Sequence, residues 1–460
     1  MSDSHLLNDA EMAAFIGRGH ITVTPDLSAD FHAEVFAQHE AVFDQEGNPG
    51  NNLLPRIPQV GQVFDDARVQ GALRSIIGDN YYLQPHRHPH YNPAGSKGQN
   101  LHQDGGRRWS HRTRRLLAFY YPQDTPVERG PTGIVSGSHY FNTPQGVRAE
   151  AETALTSPAG TVTIVNYDLW HRGMPNLTDD NRYMVKFLFA RMSEPRAPSW
   201  DNRQADWPGT PSVLEGDSPD LQKMYEHVWH WHCGHSGAAQ PAANGRSLDQ
   251  LLALLNTEQE RDALVAAYQL AAYGTQPLAQ LLDLLAVEEE MTRRHACYAL
   301  SAIGAPAVDA LTTTLDHDNP QARAAAAEIL GDIGPAAASA LPALIQAAAD
   351  PEAQVRQRAV ESLGTVGQNS PAPGRVLTAA LKDENQRVRQ EATFALCRLG
   401  ASTPEAVPAL AKVLDDDNRY TRGNALHALE RIGTPAAKDT LIRHLLPARW
   451  CPLTSPASTH

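Results

Sequence analysis

The string Leu101-His102-Gln103-Asp104-Gly105 is answered 67 residues after Asp104 by His171, within Leu169-Trp170-His171-Arg172-Gly173, and 11 residues later by Arg182. Two imidazoles and one carboxylate are the donor set of the facial triad, which covers one face of an octahedral Fe(II) and leaves three positions open. In an extended strand residues i and i+2 share a face, so His102 and Asp104 can reach one ion while Gln103 points away. His171, from a strand distant in sequence, closes the triangle. The planar guanidinium of Arg182 offers a two-pronged fork to the far carboxylate of a dicarboxylate co-substrate. A lone His-x-Asp is a weak sign; the distal His and Arg make the set specific.

Short strands have to present these residues. The runs Tyr81 to Gln84, Leu116 to Tyr121, Gly133 to Ser136, Thr161 to Tyr167 and Tyr183 to Ala190 are β-branched or aromatic and bounded by Gly, Pro, Asp or Asn. With no helical pattern between them, they predict an antiparallel sandwich or jelly roll. Residues 173–181, GMPNLTDDN, are rich in turn formers and predict a reversal that returns Arg182 along a neighbouring strand beside the metal. Helices are predicted over 8–17 and over 65–77, the second ending at Gly78, and residues 194 to 246 read as irregular.

The 460 residues exceed one core, and six of the seven tryptophans lie before residue 232, while the chain beyond 250 is rich in Ala and Leu. That second half repeats. Arg323, Arg356, Arg389 and Arg422 are 33 apart, each followed by Ala three residues on and Gly eleven residues on, and Arg293 begins the register one shorter step earlier. Such a period, built of helix pairs, means a solenoid. Ser247 to Gln250 fits a capping box, and Asn319, Asp350 and Asn418 read as helix caps. The expected boundaries are 1–235 for the first domain, 236–247 for a linker, 248–446 for the solenoid and 447–460 for a tail. A net charge of −13 argues against nucleic-acid and membrane-surface partners. The N-terminus lacks a signal-peptide pattern, and four scattered cysteines fit reduced thiols, so the expected location is cytoplasmic.

LHQDGG, GPTGIVSGSHYF at 130–141 and GTVTIVNYDLWHRGMPN, with Arg182 beyond, resemble the phytanoyl-CoA dioxygenase family of Fe(II)- and 2-oxoglutarate-dependent oxygenases, over about residues 6 to 192. The resemblance implies a double-stranded β-helix with iron at one open end, held by His102, Asp104 and His171. It assigns the far carboxylate of 2-oxoglutarate to Arg182 and puts Tyr120 in the co-substrate pocket. It further implies O2 and a small substrate that can be anionic, hydroxylated or otherwise oxidised with release of succinate and CO2. Ser136 stands where the family usually has Pro, a departure that touches a turn. Related halogenases replace the carboxylate with a small residue, so Asp104 favours oxidation without halide. The pattern VRxxAxxALxxIG resembles HEAT repeats of the phycobilisome-lyase type over about residues 250 to 446. The expected fold class is a double-stranded β-helix (jelly roll, α+β) followed by an all-α HEAT-repeat solenoid.

Three readings follow. The chain oxidises a small metabolite with the solenoid as a stabilising appendage; or it acts on a peptide, protein or carrier-bound substrate captured by the solenoid; or it is a non-catalytic interaction protein, which the intact site residues count against. Residues 107–115, RRWSHRTRR, carry five arginines and either attract an anionic substrate or form a solvated loop paired to acidic surface. The cluster His227, His230, His232, Cys233 and His235 fits no standard zinc spacing, and packing of Trp229 and Trp231 explains it more simply.

Overall fold

The computed structural model describes residues 5–105, 110–147, 149–209, 221–235, 246–368 and 370–446. Most of the expected linker and all of the expected tail lie outside the described residues. Eight strands form the first domain: β1 (His20–Val23), β2 (Tyr81–Asn92), β3 (Arg115–Tyr120), β4 (Thr132–Val135), β5 (Glu152–Ala154), β6 (Val162–Asn166), β7 (His171–Gly173) and β8 (Arg182–Arg191). A five-stranded sheet runs β1-β6-β3-β8-β2 and a three-stranded one β5-β4-β7, all pairs antiparallel.

The two-residue period of the strands sorts side chains into two cores. Leu117, Phe119 and Tyr121 point between the sheets and meet Ile134, Val165, Leu169, Met184 and Leu188. Leu116, Ala118, Tyr120, Val185, Phe187 and Phe189 point the other way, into the core beneath the helices α1 (Asp9–Arg18), α2 (Ala29–Glu46), α3 (Gln59–Asp65) and α4 (Ala67–Ile77). Every residue of β8 is buried, its cationic Arg182, Lys186 and Arg191 included.

Three elements differ from expectation. The helix predicted over 65–77 starts at Ala67 and ends before Gly78 as expected, because Asp66 adopts an extended ψ of 138° and its carboxylate caps Arg68 and Val69; α3, before it, was not expected. Helix α2 buries only His32, Val35 and His39 completely, too sparse an apolar stripe to announce an 18-residue helix. A further helix, α5 (Gln222–His232), lies in the stretch read as irregular.

The solenoid explains its own period. Arg323, Arg356 and Arg389 pair with Asp350, Asp383 and Asp416 at 2.7–2.8 Å, each 27 residues on. Each also donates to two carbonyls of its own preceding turn, as does Arg422. One guanidinium thus ties a turn to the next repeat, which fixes an arginine at the same place in each copy. Asp350 is therefore not the helix cap expected: the helix begins at Ala353 after Glu352, and Asp350 is occupied by Arg323 and the Glu352 amide. Pro320–Ala347 is long and apolar enough to cross a membrane, yet it is half buried and broken by a non-helical Ala337.

The long helices of the repeats face the first domain. Tyr82 Oη donates to Asn424 at 2.8 Å, His86 Nδ1 meets Tyr420 Oη at 3.1 Å, and Asn142 and Thr143 bind Glu260. From the basic run, Arg114 bridges Glu194 and Asp332, and Arg112 lies 3.9 Å from Asp332. Two of its arginines therefore hold the domains together, while Arg107 and Arg108 lie outside the described residues.

Candidate metal centre

His102 and His171 face each other across a backbone bridge, His102 N–H donating to His171 O at 3.0 Å and His171 N–H to His102 O at 2.9 Å. The bridge adds a fragment of strand to the β7 edge of the smaller sheet. Gln103 turns away, its amide donating to Phe141 O and Asp168 O, and this clamps the loop. Asp104 does not continue a strand as the i, i+2 argument assumes; the chain bends at Asp104 and Gly105 and swings the carboxylate toward the histidines. A Cβ on Gly105 would meet Asp168 Oδ1 at 2.2 Å, so a larger residue here would displace the Asp168 side chain.

The donor atoms of His102, Asp104 and His171 lie within 4.8 Å of one another, the one such group among the described residues. His102 Nε2 is 3.6 Å from Asp104 Oδ1, and His171 Nε2 is 3.9 Å from Oδ2. Both Nδ1 atoms face backbone carbonyls at 2.8 Å, Asn100 O and Leu169 O, so each Nδ1 carries the proton and each Nε2 lone pair is free for a metal. This donor set and tautomer fit Fe(II).

Electrostatics agree. Burial opposes ionisation of Asp104, but His102 at 3.6 Å and the nearby Lys186 and His171 hold its carboxyl well below the ordinary range. The adjacent Asp104 carboxylate raises the His102 imidazole, and burial drives His171 down to about 4, so that ring is a neutral ligand.

Arg182 arrives on the facing sheet, not on the strand next to β7, because the 173–181 turn crosses between sheets. Its Nε and one terminal nitrogen donate to Gly130 O at 2.9 and 2.7 Å. Gly130 has φ of +65°, and a Cβ there would strike Asn92 Nδ2 at 2.5 Å, so the carbonyl that anchors Arg182 depends on glycine. Among the described residues Arg182 has no carboxylate at ion-pair distance, and burial lowers its pKa. It lines one cavity of about 230 Å³ with His102, His171, His90, Met184 and Lys186. A buried guanidinium without an anion, facing two metal-ready imidazoles, fits the distal carboxylate of 2-oxoglutarate.

Tyr120 is not brought to that cavity. It faces the helix layer, where its hydroxyl meets His32 Nδ1 at 2.9 Å; the neighbouring Tyr121 points inward and donates to Thr132. The one-residue offset reverses the face. Sequence reasoning missed Lys186, whose ammonium donates to Asp104 Oδ2, and His90. Lys186 continues the alternation Arg182, Met184, Lys186, and His86, His88 and His90 repeat at the same period on β2, their rings 4.6 and 4.7 Å apart. That period was the available signal. Among the described residues, His227, His230, His232, Cys233 and His235 form no metal-ready group, and Trp229 packs on Trp200 and Trp207.

An antiparallel jelly roll with two imidazoles, a carboxylate and a buried arginine at one end defines a non-haem iron oxygenase. Residues 5–184 match the phytanoyl-CoA dioxygenase (PhyH) family, and residues 308–374 and 374–449 match HEAT repeats. The cofactors are Fe(II) and 2-oxoglutarate. No curated protein matches the chain. Similar solved structures include the non-haem monooxygenase ThoJ with nickel (14% identity, TM-score 0.34, 42% of this chain and 84% of that one). EctD from S. alaskensis with 2-oxoglutarate and 5-hydroxyectoine is similar at 19% identity (TM-score 0.36, 44% and 84%). The alpha-ketoglutarate-dependent epimerase SnoN from nogalamycin biosynthesis is similar at 17% (TM-score 0.34, 40% and 83%).

Proposed function

We propose that the protein hydroxylates an unactivated C–H bond of a small-molecule substrate, consuming O2 and 2-oxoglutarate and releasing succinate and CO2. The observation that carries this reading is the convergence of the His102, Asp104 and His171 donor atoms at one point, with both imidazoles and the buried Arg182 guanidinium lining one cavity. Bound at His102, Asp104 and His171, iron supplies the oxygen-activating chemistry. The protein's part is positional. Arg182 fixes the tail of 2-oxoglutarate by charge-assisted hydrogen bonds, and the Gly130 carbonyl keeps its fork from rotating. The Asn100 and Leu169 carbonyls hold the imidazoles in the ligating tautomer. Phe119 and Met184 wall the interior against water; the Phe119 ring lies 5.7 Å from His171.

The test is succinate formation by the full chain given iron, 2-oxoglutarate and O2 with candidate small molecules. Stimulation above the substrate-free rate by at least one supports the reading; absence of any succinate in wild type, with iron and 2-oxoglutarate demonstrably bound, sinks it.

A further inference from the structure

On β8, Leu188 follows Lys186 on the same face, and on β3, Leu117 and Arg115 follow Phe119, so two rows of side chains lead from the triad toward the solenoid. Four residues of strand span about 13 Å. The Arg115 guanidinium lies over the Tyr167 ring at 5.9 Å and the Phe394 ring at 5.7 Å, and the Tyr167 hydroxyl reaches the Asp104 carbonyl at 3.5 Å. One aromatic ring therefore separates this arginine from the metal loop.

Gly105, the residue after Asp104, lines a cavity of about 380 Å³ whose far wall is solenoid, including Glu328, Arg358, Glu391 and Arg398. An adjoining space of about 140 Å³ shares Arg115 and Glu391 with it and reaches Leu188, Tyr167 and Tyr420. Two of the other cations lining the larger cavity are held by carboxylates. Arg114 is held by Glu194 and Asp332, and Arg358 lies within 3.1 Å of both Glu328 and Glu361. Arg115 and Arg398 have no carboxylate at ion-pair distance among the described residues. Arg398 Nε is buried without an acceptor, and its guanidinium lies 4.9 Å from the Phe394 centroid. Burial pulls the Arg398 pKa down to about 10, the mark of an under-compensated cation, and pushes Glu391 up to about 7. Two guanidiniums on the same aromatic side chain, one from each domain, form a receptor for an oxyanion.

We propose that this interdomain cavity is the substrate site and that the substrate is a small hydrophilic organic anion, its carboxylate, sulfate or phosphate group held by Arg115 and Arg398 while its oxidisable end reaches past Leu188 to the triad. The proposal rests on the oxygenase reading and makes the solenoid part of the site, since it supplies half of the recognition surface.

The test uses the full chain, anaerobic, with Fe(II) and saturating 2-oxoglutarate so that Arg182 is occupied. Inorganic phosphate, sulfate and acetate are titrated by calorimetry, and the three arms identify the group preferred. At least one is expected to bind, and Arg115→Gln and Arg398→Gln should each weaken it by about tenfold or more. Lys382→Gln, on an exposed solenoid turn, should leave it unchanged. Should Arg398→Gln not fold, Arg115→Gln and the charge-keeping Arg398→Lys carry the test, with weakening in the first and retained binding in the second. No binding by wild type, or equal binding by wild type and Arg115→Gln, overturns the proposal. The visible charge-transfer band of the iron–2-oxoglutarate complex, read in the same samples, separates the two failures. Its absence from wild type sinks the oxygenase reading, whereas an intact band with binding indifferent to Arg115 sinks only the cavity assignment.

Discussion

Arg182 in the jelly roll and Arg356 in the solenoid are both largely removed from water, yet they solve that problem oppositely. Arg356 has Asp383 at 2.8 Å and two carbonyls of its own turn, a complete set of acceptors that repeats in the neighbouring copies. Arg182 has one carbonyl and no carboxylate at ion-pair distance among the described residues. A buried charge left without its counter-ion costs several kcal/mol by itself, so a fold keeps one only where a ligand completes it. A completed arginine such as Arg356 is architecture; Arg182, uncompleted and facing a cavity, is placed for an anion.

The contrast breaks most visibly at the anion that the metal needs. Asp104→Ala removes the only carboxylate of the triad and is expected to abolish succinate formation and weaken divalent-metal binding by about 100-fold or more, a larger loss than removal of a supporting residue gives. Retained turnover would refute the metal assignment. Next, Arg182→Met is expected to weaken 2-oxoglutarate by about 100-fold, the scale for losing one partner of a buried charge pair, with metal affinity unchanged. Titrating metal and co-substrate separately distinguishes the two variants, and equal 2-oxoglutarate affinity in Arg182→Met would remove it from the site. The solenoid counterpart should behave the other way round. Arg356→Ala strands Asp383 and is expected to cost about 2 kcal/mol of stability in chemical denaturation, while co-substrate binding stays as in wild type.

How far this was legible in the sequence follows from the same distinction. The solenoid could be read from its period because each repeat satisfies itself locally: Arg, Asp and turn carbonyls recur at fixed spacing. The metal residues were visible because His102, Asp104, His171 and Arg182 are types that single out one chemistry. What failed was position across elements. The i, i+2 geometry was assumed for a strand, but a bend at Gly105 aims the carboxylate; Arg182 returns on the opposite sheet; α2 hides its thin apolar stripe behind charged residues. Lys186 shows only as a step in the β8 alternation and Arg115 only as one of five arginines in a basic run; what makes them notable is what β3, β8 and the solenoid place around them.

Acid should loosen the domain boundary before it reaches the repeats. His111 is fully buried between Tyr268 Oη at 2.7 Å and Tyr140 O at 3.1 Å, so its Nε2 donates and its Nδ1 accepts. Burial lowers its pKa to about 3, with the carbonyl and Asp332 opposing and His295 and Arg294 adding to the shift. Because the folded value lies below that of the unfolded chain, the unfolded state takes the proton first. Stability contributed by the neutral ring is whole above about pH 6.5 and declines toward pH 3, by at most about 1.4 kcal/mol per pH unit. His111→Gln is expected to start less stable at neutral pH and to show a flatter acid dependence of unfolding; a dependence as steep as in wild type would clear His111.

The smallest effect sharpens the comparison most, because it separates adjacent residues of one strand. Tyr120 and Tyr121 differ by a single step along β3 and so by face: Tyr120 meets His32 under the helices, and Tyr121 donates to Thr132 inside the roll, where its electrostatic influence reaches Arg182. Tyr120→Phe removes one buried hydrogen bond and is expected to cost about 1 kcal/mol of stability without moving the affinity for 2-oxoglutarate. Tyr121→Phe should cost a similar amount and, by withdrawing a hydroxyl from the Arg182 side of the core, weaken 2-oxoglutarate by a few fold. A co-substrate defect in Tyr120→Phe and none in Tyr121→Phe would invert the assignment of faces and return Tyr120 to the pocket.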